Sequence, residues 1–306
     1  MYHFILNKKA SSGVGRKVWK KLKPILTENS VDYKVHVFPD EDGVRNFVRR
    51  LTEKPCHIVV LGGDGTLNLV LNSIVNLEHT KLSCIRVGSG NDFAGNAGVE
   101  KNPEKALAHL LKEPEQFVYD FGEADYITET DEHVNRRFII SSGIGYDADI
   151  CEEVSRSNLK KILNMLHMGK LVYLTIGIKQ IFTRGNAKVK IYFDDSKPIR
   201  SSNMFFVVGM IHEMEGGGVP FCPDADPCDG MLSVCVAKKA PIPKLLLEVA
   251  MVYLKKHLLF SNIAEYRCRK VKIVVDKPQW IHMDGEAPCK VKEATLICRE
   301  GIRFVK

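Results

Sequence analysis

Apolar and polar positions change rhythm along this chain. In the first third, short apolar runs alternate with stretches of helical spacing. Tyr2–Leu6 predicts a strand, followed by a polar glycine loop, Lys8–Gly15, and a helix over about Arg16–Asn29. Tyr33–Phe38 predicts a second strand, and a helix over about Glu41–Lys54 leads to the apolar run Cys56–Val60. Leu67–Val75 predicts a helix, Leu82–Val87 a fourth strand and Pro103–Leu111 a further helix. Alternation of this kind predicts a parallel sheet covered by helices, with ligands at the carboxyl ends of the strands.

The rhythm becomes strand after strand past about Asp120. Phe117–Gly122, Arg137–Ser141, Lys188–Phe193, Asn203–Val208, Met231–Val236, Val271–Val275, Gln279–Met283 and Lys290–Cys298 predict strands. Turn residues separate most of them, which predicts an antiparallel β-sandwich. Two helical segments interrupt it, Asn158–Phe182 and Ile242–Phe260. The expected fold class is α/β plus all-β. An α/β domain over 1–121 precedes a β-rich domain over 122–306.

Composition limits the classes. The 306 residues are 45% hydrophobic and 26% charged, enough for a real core. No secretory leader pattern is visible, and no apolar run approaches the length of a spanning helix. The nine cysteines are scattered without C-x-x-C pairs, which predicts reduced thiols in a cytoplasmic protein. A net charge of +7 suits a polyanionic ligand, an anionic membrane surface or nucleic acid, without separating them. The basic residues are dispersed and form no nucleic-acid recognition module, so no nucleic-acid partner is expected.

Four segments carry chemistry. Gly62-Gly63-Asp64-Gly65-Thr66-Leu67-Asn68 sits at a strand-to-helix turn, where glycines admit an anion and the helix N-terminus favours it. It is neither a Walker loop nor a G-x-G-x-x-G fingerprint. Gly88-Ser89-Gly90-Asn91-Asp92 follows the next strand and adds a hydroxyl, an amide and a carboxylate at the same sheet edge. Asp284-Gly285-Glu286 delivers two carboxylates around a glycine, as a base for a hydroxyl proton requires, though Asp-Gly also suits a tight hairpin turn. Gly216–Leu232 places Asp224, Asp226 and Asp229 in a rigid oxygen-rich loop suited to a hard cation, or simply a polar loop. His282 reads as a buried, hydrogen-bonded histidine. The apolar residues of Asn158–Phe182 and Ile242–Phe260 read first as core, with basic faces compatible with lipid headgroups.

Taken together, these segments and Gly143-Ile144-Gly145-Tyr146-Asp147-Ala148 resemble the bacterial diacylglycerol kinase-like lipid kinases, which are related to sphingosine and ceramide kinases. The resemblance covers essentially the whole chain. It implies ATP binding by Asn7, by Ser11, Ser12 and Gly13, by Gly62–Asn68, and by Ser89, Asn91 and Asp92. Asp64 would lie near the triphosphate and its magnesium. Glu286 would accept the lipid hydroxyl proton, with Asp284 beside it. A structural magnesium would be held by Asp229, with Asp226 and Met231 supplying carbonyls. The resemblance also implies a nucleotide-binding first domain, a lipid-binding second domain with the cleft between them, and residues 295–306 returning to the first domain.

The implied activity is ATP- and magnesium-dependent transfer of phosphate to a lipid hydroxyl, diacylglycerol or a related glycerolipid, in phospholipid biosynthesis. Peripheral contact with the inner membrane face and a homodimer are compatible with it. The sequence departs from the family at Lys8 after Asn7, at Phe38, at Arg86, at Ile140, and at Ser89, which keeps a hydroxyl. An NAD kinase-like or other small-molecule kinase and a non-catalytic nucleotide- or lipid-binding regulator are the alternatives.

Overall fold

The computed structural model describes residues 1–7, 14–88, 90–157, 169–194 and 196–306. Two compact units emerge: Met1–Tyr119 with Glu300–Lys306, and Asp120–Arg299.

The first unit runs β1 Tyr2–Asn7, α1 Val14–Glu28, β2 Tyr33–Phe38, α2 Glu41–Leu51, β3 Cys56–Gly62, α3 Asp64–Ser73, β4 Thr80–Arg86, α4 Asp92–Asn96 and α5 Pro103–Lys112. Its strands lie in the order β2-β1-β3-β4, all parallel. Ile58, Val59, Val60 and Leu61 in β3 are all buried, as a strand covered on both faces must be. Helix starts follow local chemistry. The Asp40 carboxylate accepts from the N–H of Gly43, and Asn102 accepts from Glu104 and Lys105 ahead of Pro103. The end of the chain returns here. Arg303 and Phe304 pair in parallel with Lys81 and Leu82, and Phe304 meets Phe93 edge-on.

The second unit contains most of β5 Gln116–Thr128, then β6 His133–Phe138, β7 Ser141–Gly145, α6 Tyr146–Arg156, α7 Gly169–Thr183, β8 Ala187–Phe193 and β9 Ile199–Met210. β10 Leu232–Lys238, α8 Ile242–Tyr253, β11 Ile263–Cys268, β12 Lys270–Met283 and most of β13 Glu286–Val305 complete it. Its pairings are antiparallel, and β7 and β8 lie end to end between the long strands β9 and β12. One face buries Phe138, Ile144, Val207, Leu232, Val271 and Leu296 together. The helices pack on the other face through Tyr146, Ile181, Phe205, Phe206 and Leu245.

Several boundaries differ from the periodicity. Val271–Val275 and Gln279–Met283 are one strand, β12, whose register shifts between Val274 and Gln279 around Pro278. Arg137–Ser141 is not one strand: Arg137 and Phe138 end β6, Ile139 and Ile140 form a break, and Ser141 starts β7. α6 and β11 were not anticipated. Of the expected helix Asn158–Phe182, α7 is described and 158–168 lie outside the described residues. No described helix is long and apolar enough to cross a membrane.

Candidate active site

In the first unit, β1, β3 and β4 end on the same sheet edge, so Asn7, Gly62 and Arg86 open neighbouring loops there. The loops after β3 and β4 touch backbone to backbone. A Cβ on Gly88 would stand 2.6 Å from the Gly63 Cα and 2.9 Å from Asn91 Oδ1. A Cβ on Gly62 would meet Thr66 at 2.7 Å. Glycine is therefore demanded at both positions by close approach. Asp64 clamps the pair. Its Oδ2 accepts from the Asp92 N–H at 3.0 Å and its Oδ1 from the Phe93 N–H at 3.1 Å. Burial pushes the Asp64 carboxyl up, opposed by those amides. Asn91, in the left-handed region at φ 57°, closes its own loop by accepting from the Gly88 N–H and donating to the Gly88 carbonyl.

The sequence-chosen residues divide. Gly63, Gly65 and Asp64 form the first turn of α3, with Gly65 exposed. Thr66, Leu67 and Asn68 are buried in the first turns of α3. Ser11, Ser12, Gly13 and Ser89, like Lys8, lie outside the described residues. Arg86 donates from Nη2 to the Ala94 carbonyl at 2.7 Å, holding α4 rather than reaching outward. Phe38 packs with Phe47 at 5.3 Å between ring centroids.

In the second unit, Met283 pairs with Glu286, leaving Asp284 and Gly285 as a two-residue hairpin loop with φ of 49° and 82°. Positive φ at both central residues is what a tight Asp-Gly turn adopts. Both sequence readings therefore hold together: a hairpin, and two carboxylates presented by it. The Asp284 carboxylate accepts from the N–H groups of Ile139 at 3.0 Å, Ile140 at 2.8 Å and Ser141 at 3.1 Å. Those amides span the break between β6 and β7 and the first residue of β7. Glu286 is half exposed and ion-paired with Arg136 of β6.

Behind the turn lies a buried network invisible to motif reading. His282 Nε2 meets Asp147 Oδ2 at 2.8 Å, with both side chains almost fully buried. Buried Glu215 accepts from the Ser141 hydroxyl. Gly143 has no Cβ because one would stand 2.0 Å from Asp147 Oδ2. Gly145, at φ 120°, turns β7 into α6, whose first turn carries Asp147. Burial alone would push the His282 imidazole down. Glu215, Asp147 and Asp284 together raise it instead, to about 9. The Gly285 N–H lies 3.4 Å from Nδ1, too long to hold that nitrogen unprotonated.

The loop over Gly216–Leu232 is shaped by carboxylates that accept from its own backbone. Asp229 Oδ1 accepts from the Met231 N–H at 2.9 Å, and its Oδ2 is ion-paired with Arg267. Asp226 Oδ1 accepts from the Cys228 N–H at 3.0 Å, while Asp120 takes the Gly230 N–H at 2.7 Å. The Asp229 carboxylate and the main chain of Asp226 and Met231, expected to hold a structural magnesium, share this loop, where Arg267 sits beside Asp229.

A parallel-sheet unit with apposed glycine loops, and a β-rich unit presenting a carboxylate on a hairpin, define a kinase-type fold. Residues 1–120 match the diacylglycerol kinase catalytic domain, and residues 140–300 match the YegS C-terminal NAD kinase beta sandwich-like domain. The chain belongs to this family of diacylglycerol kinase-like lipid kinases, a family of phosphotransferases.

The diacylglycerol kinase of Bacillus subtilis (strain 168) is 26% identical, over 75% of this chain and 70% of its own. A diacylglycerol kinase of Staphylococcus carnosus is 22% identical over 89% of this chain and 85% of its own. A diacylglycerol kinase structure from Bacillus anthracis str. Sterne superposes with a TM-score of 0.72 at 20% identity, over 99% of this chain and 95% of that one. Yeast NADH kinase superposes with a TM-score of 0.52 at 12% identity, over 100% of this chain and 83% of that one. These structural likenesses speak to fold alone.

Proposed function

We propose that this chain transfers the γ-phosphoryl group of MgATP to a hydroxyl of a membrane lipid, diacylglycerol or a related glycerolipid. The observation that carries the reading is the clamp of Asp64 on the amides of Asp92 and Phe93, which fixes two glycine loops together at the carboxyl edge of a parallel sheet. The α3 N-terminus with Gly63 and exposed Gly65 supplies backbone N–H groups and a favourable dipole for phosphate oxygens. Asn7, Ser11, Ser12, Gly13 and Ser89 complete the nucleotide contacts in this reading, and magnesium arrives with the nucleotide as part of the substrate.

Phosphoryl transfer asks little covalent chemistry of the protein, so positioning and a proton acceptor dominate. Glu286 accepts the proton of the lipid hydroxyl as its oxygen attacks the γ-phosphorus and ADP leaves. Arg136 orients that carboxylate through their ion pair. Asp284, whose carboxylate is occupied by three amides, acts by holding the hairpin rather than by taking a proton. The first domain serves the nucleotide and the second the lipid, with the protein working in the cytoplasm at the inner membrane face.

The reading is tested by incubating the protein with γ-labelled ATP, magnesium and micelles carrying a panel of glycerolipids and long-chain alcohols. Label in a lipid phosphate supports it. Label in NAD(P) instead, or ATP binding without transfer to any acceptor, overturns it.

A further inference from the structure

The outward side of α8 breaks the usual rule for a helix on a protein surface. Its inward positions are Leu245, Glu248 and Val252, all buried. Its outward positions are Pro243, Leu246, Leu247, Ala250, Tyr253 and Leu254, and every one is exposed and without charge. Exposure reaches 53% at Leu247 and 63% at Leu254, and Leu259 in the following turn is 79% exposed. α2 in the other unit shows the ordinary pattern, placing Glu41, Asp42, Arg45, Arg49 and Arg50 toward water.

The patch extends onto α7, which packs beside α8. There Leu174, Ile178 and Phe182 recur every fourth residue, on one stripe, and all are exposed. Exposed apolar side chains gathered on two neighbouring helices mark an interaction site.

Charge chooses the partner. Between Ile242 and Phe260 the only carboxylate is Glu248, which is buried. α7 carries no carboxylate at all. Lys255 and Lys256 are exposed between Leu254 and Leu259, with Lys255 paired to Glu213. Apolar side chains flanking lysines, with the neighbouring acids held in ion pairs (Glu213 with Lys255, Glu153 with Lys179), match an anionic phospholipid surface: the leucines enter the acyl boundary and the lysines meet phosphates.

We propose that the outward faces of α7 and α8, centred on Leu247, Leu254 and Leu259, dock this chain on an anionic membrane. This inference rests on the lipid-kinase reading, because an acceptor dissolved in a bilayer must be reached from its surface. Docking is peripheral and salt-sensitive through Lys255 and Lys256.

The test is co-sedimentation of the full chain with vesicles of phosphatidylcholine, with and without phosphatidylglycerol, without nucleotide. The variant carrying Leu247→Ser, Leu254→Ser and Leu259→Ser should lose vesicle binding about tenfold or more. Its turnover of water-dispersed dioctanoylglycerol should be unchanged, which also shows that it folds. Lys255→Gln with Lys256→Gln should weaken binding only to the anionic vesicles, and more at low salt than at high.

Vesicle binding by the triple-serine variant equal to the parent overturns the proposal. So does a parent that ignores both vesicles, or a parent dimer that the triple-serine variant splits without loss of vesicle binding. Vesicle binding that needs the leucines, in a protein that phosphorylates no lipid, supports docking and refutes the kinase reading.

Discussion

His282 Nε2 lies 2.8 Å from Asp147 Oδ2, joining residues 135 apart in the sequence into a buried ion pair two residues before the Asp284 turn. The contact exists because residue 143 has no side chain. A Cβ there would stand 2.0 Å from the Asp147 oxygen and 3.0 Å from His282 Nε2. Gly143→Ala should therefore destabilise the fold by about 2–4 kcal/mol, as overpacking that also separates a buried pair. Urea unfolding measures it. A change within about 0.5 kcal/mol would show that the pair relaxes freely.

The same pair makes stability depend on alkaline pH. The folded-state pKa of His282 is raised to about 9 by Glu215, Asp147 and Asp284, against an unfolded value of about 6.5. A raised pKa contributes stability that is fully present below about pH 6.5 and is lost as pH rises through 9. The contribution is of order 3 kcal/mol. Unfolding free energies of the parent should fall between about pH 7 and 10 more steeply than those of His282→Gln. Parallel curves would place the imidazole in its neutral form.

Asp284 and Glu286 should separate by phenotype. Asp284→Ala leaves three backbone N–H groups without their acceptor, at about 1–3 kcal/mol for each buried one. Asp284→Asn keeps an acceptor oxygen. It should recover most of the stability and retain turnover within roughly tenfold, as a positioning residue allows. Equal, complete loss of turnover in a fully stable Asp284→Asn would assign the proton transfer to Asp284.

Asp64→Ala removes the acceptor shared by the Asp92 and Phe93 amides, and Gly88→Ala forces a Cβ to 2.6 Å from the Gly63 Cα. Both separate the glycine loops. ATP affinity by calorimetry should fall about tenfold or more in each, since one misplaced or unsatisfied group costs about 1–3 kcal/mol. Unchanged affinity in both would remove these loops from nucleotide binding.

Much of this was legible in the chain. The strand-to-helix turn at Gly62–Asp64 was readable because local sequence makes it: an apolar run, two glycines, then helical spacing. The Asp284-Gly285 turn was readable for the same reason. Its alternative, a pair of catalytic acids, needed the structure, which shows Asp284 occupied by amides some 145 residues away. The network of Asp147, Glu215 and His282 has no sequence signature, because three distant segments meet only after the β-rich unit closes. α6 was hidden by Gly145, whose φ of 120° ends a strand and starts a helix in one residue. Arg267 opposite Asp229 was equally hidden, because the two lie on segments with no local link. On α8, helical spacing was visible, but only accessibility distinguishes the buried Leu245 from the exposed Leu246 and Leu247.

The central claim is that Glu286 accepts the proton of a lipid hydroxyl. The direct measurement is turnover of diacylglycerol in mixed micelles by Glu286→Gln, with ATP affinity measured on the same preparation. Loss of the general base should lower kcat by about 10²–10⁴ while leaving ATP affinity unchanged. Turnover equal to the parent, with ATP bound as tightly, would contradict the account.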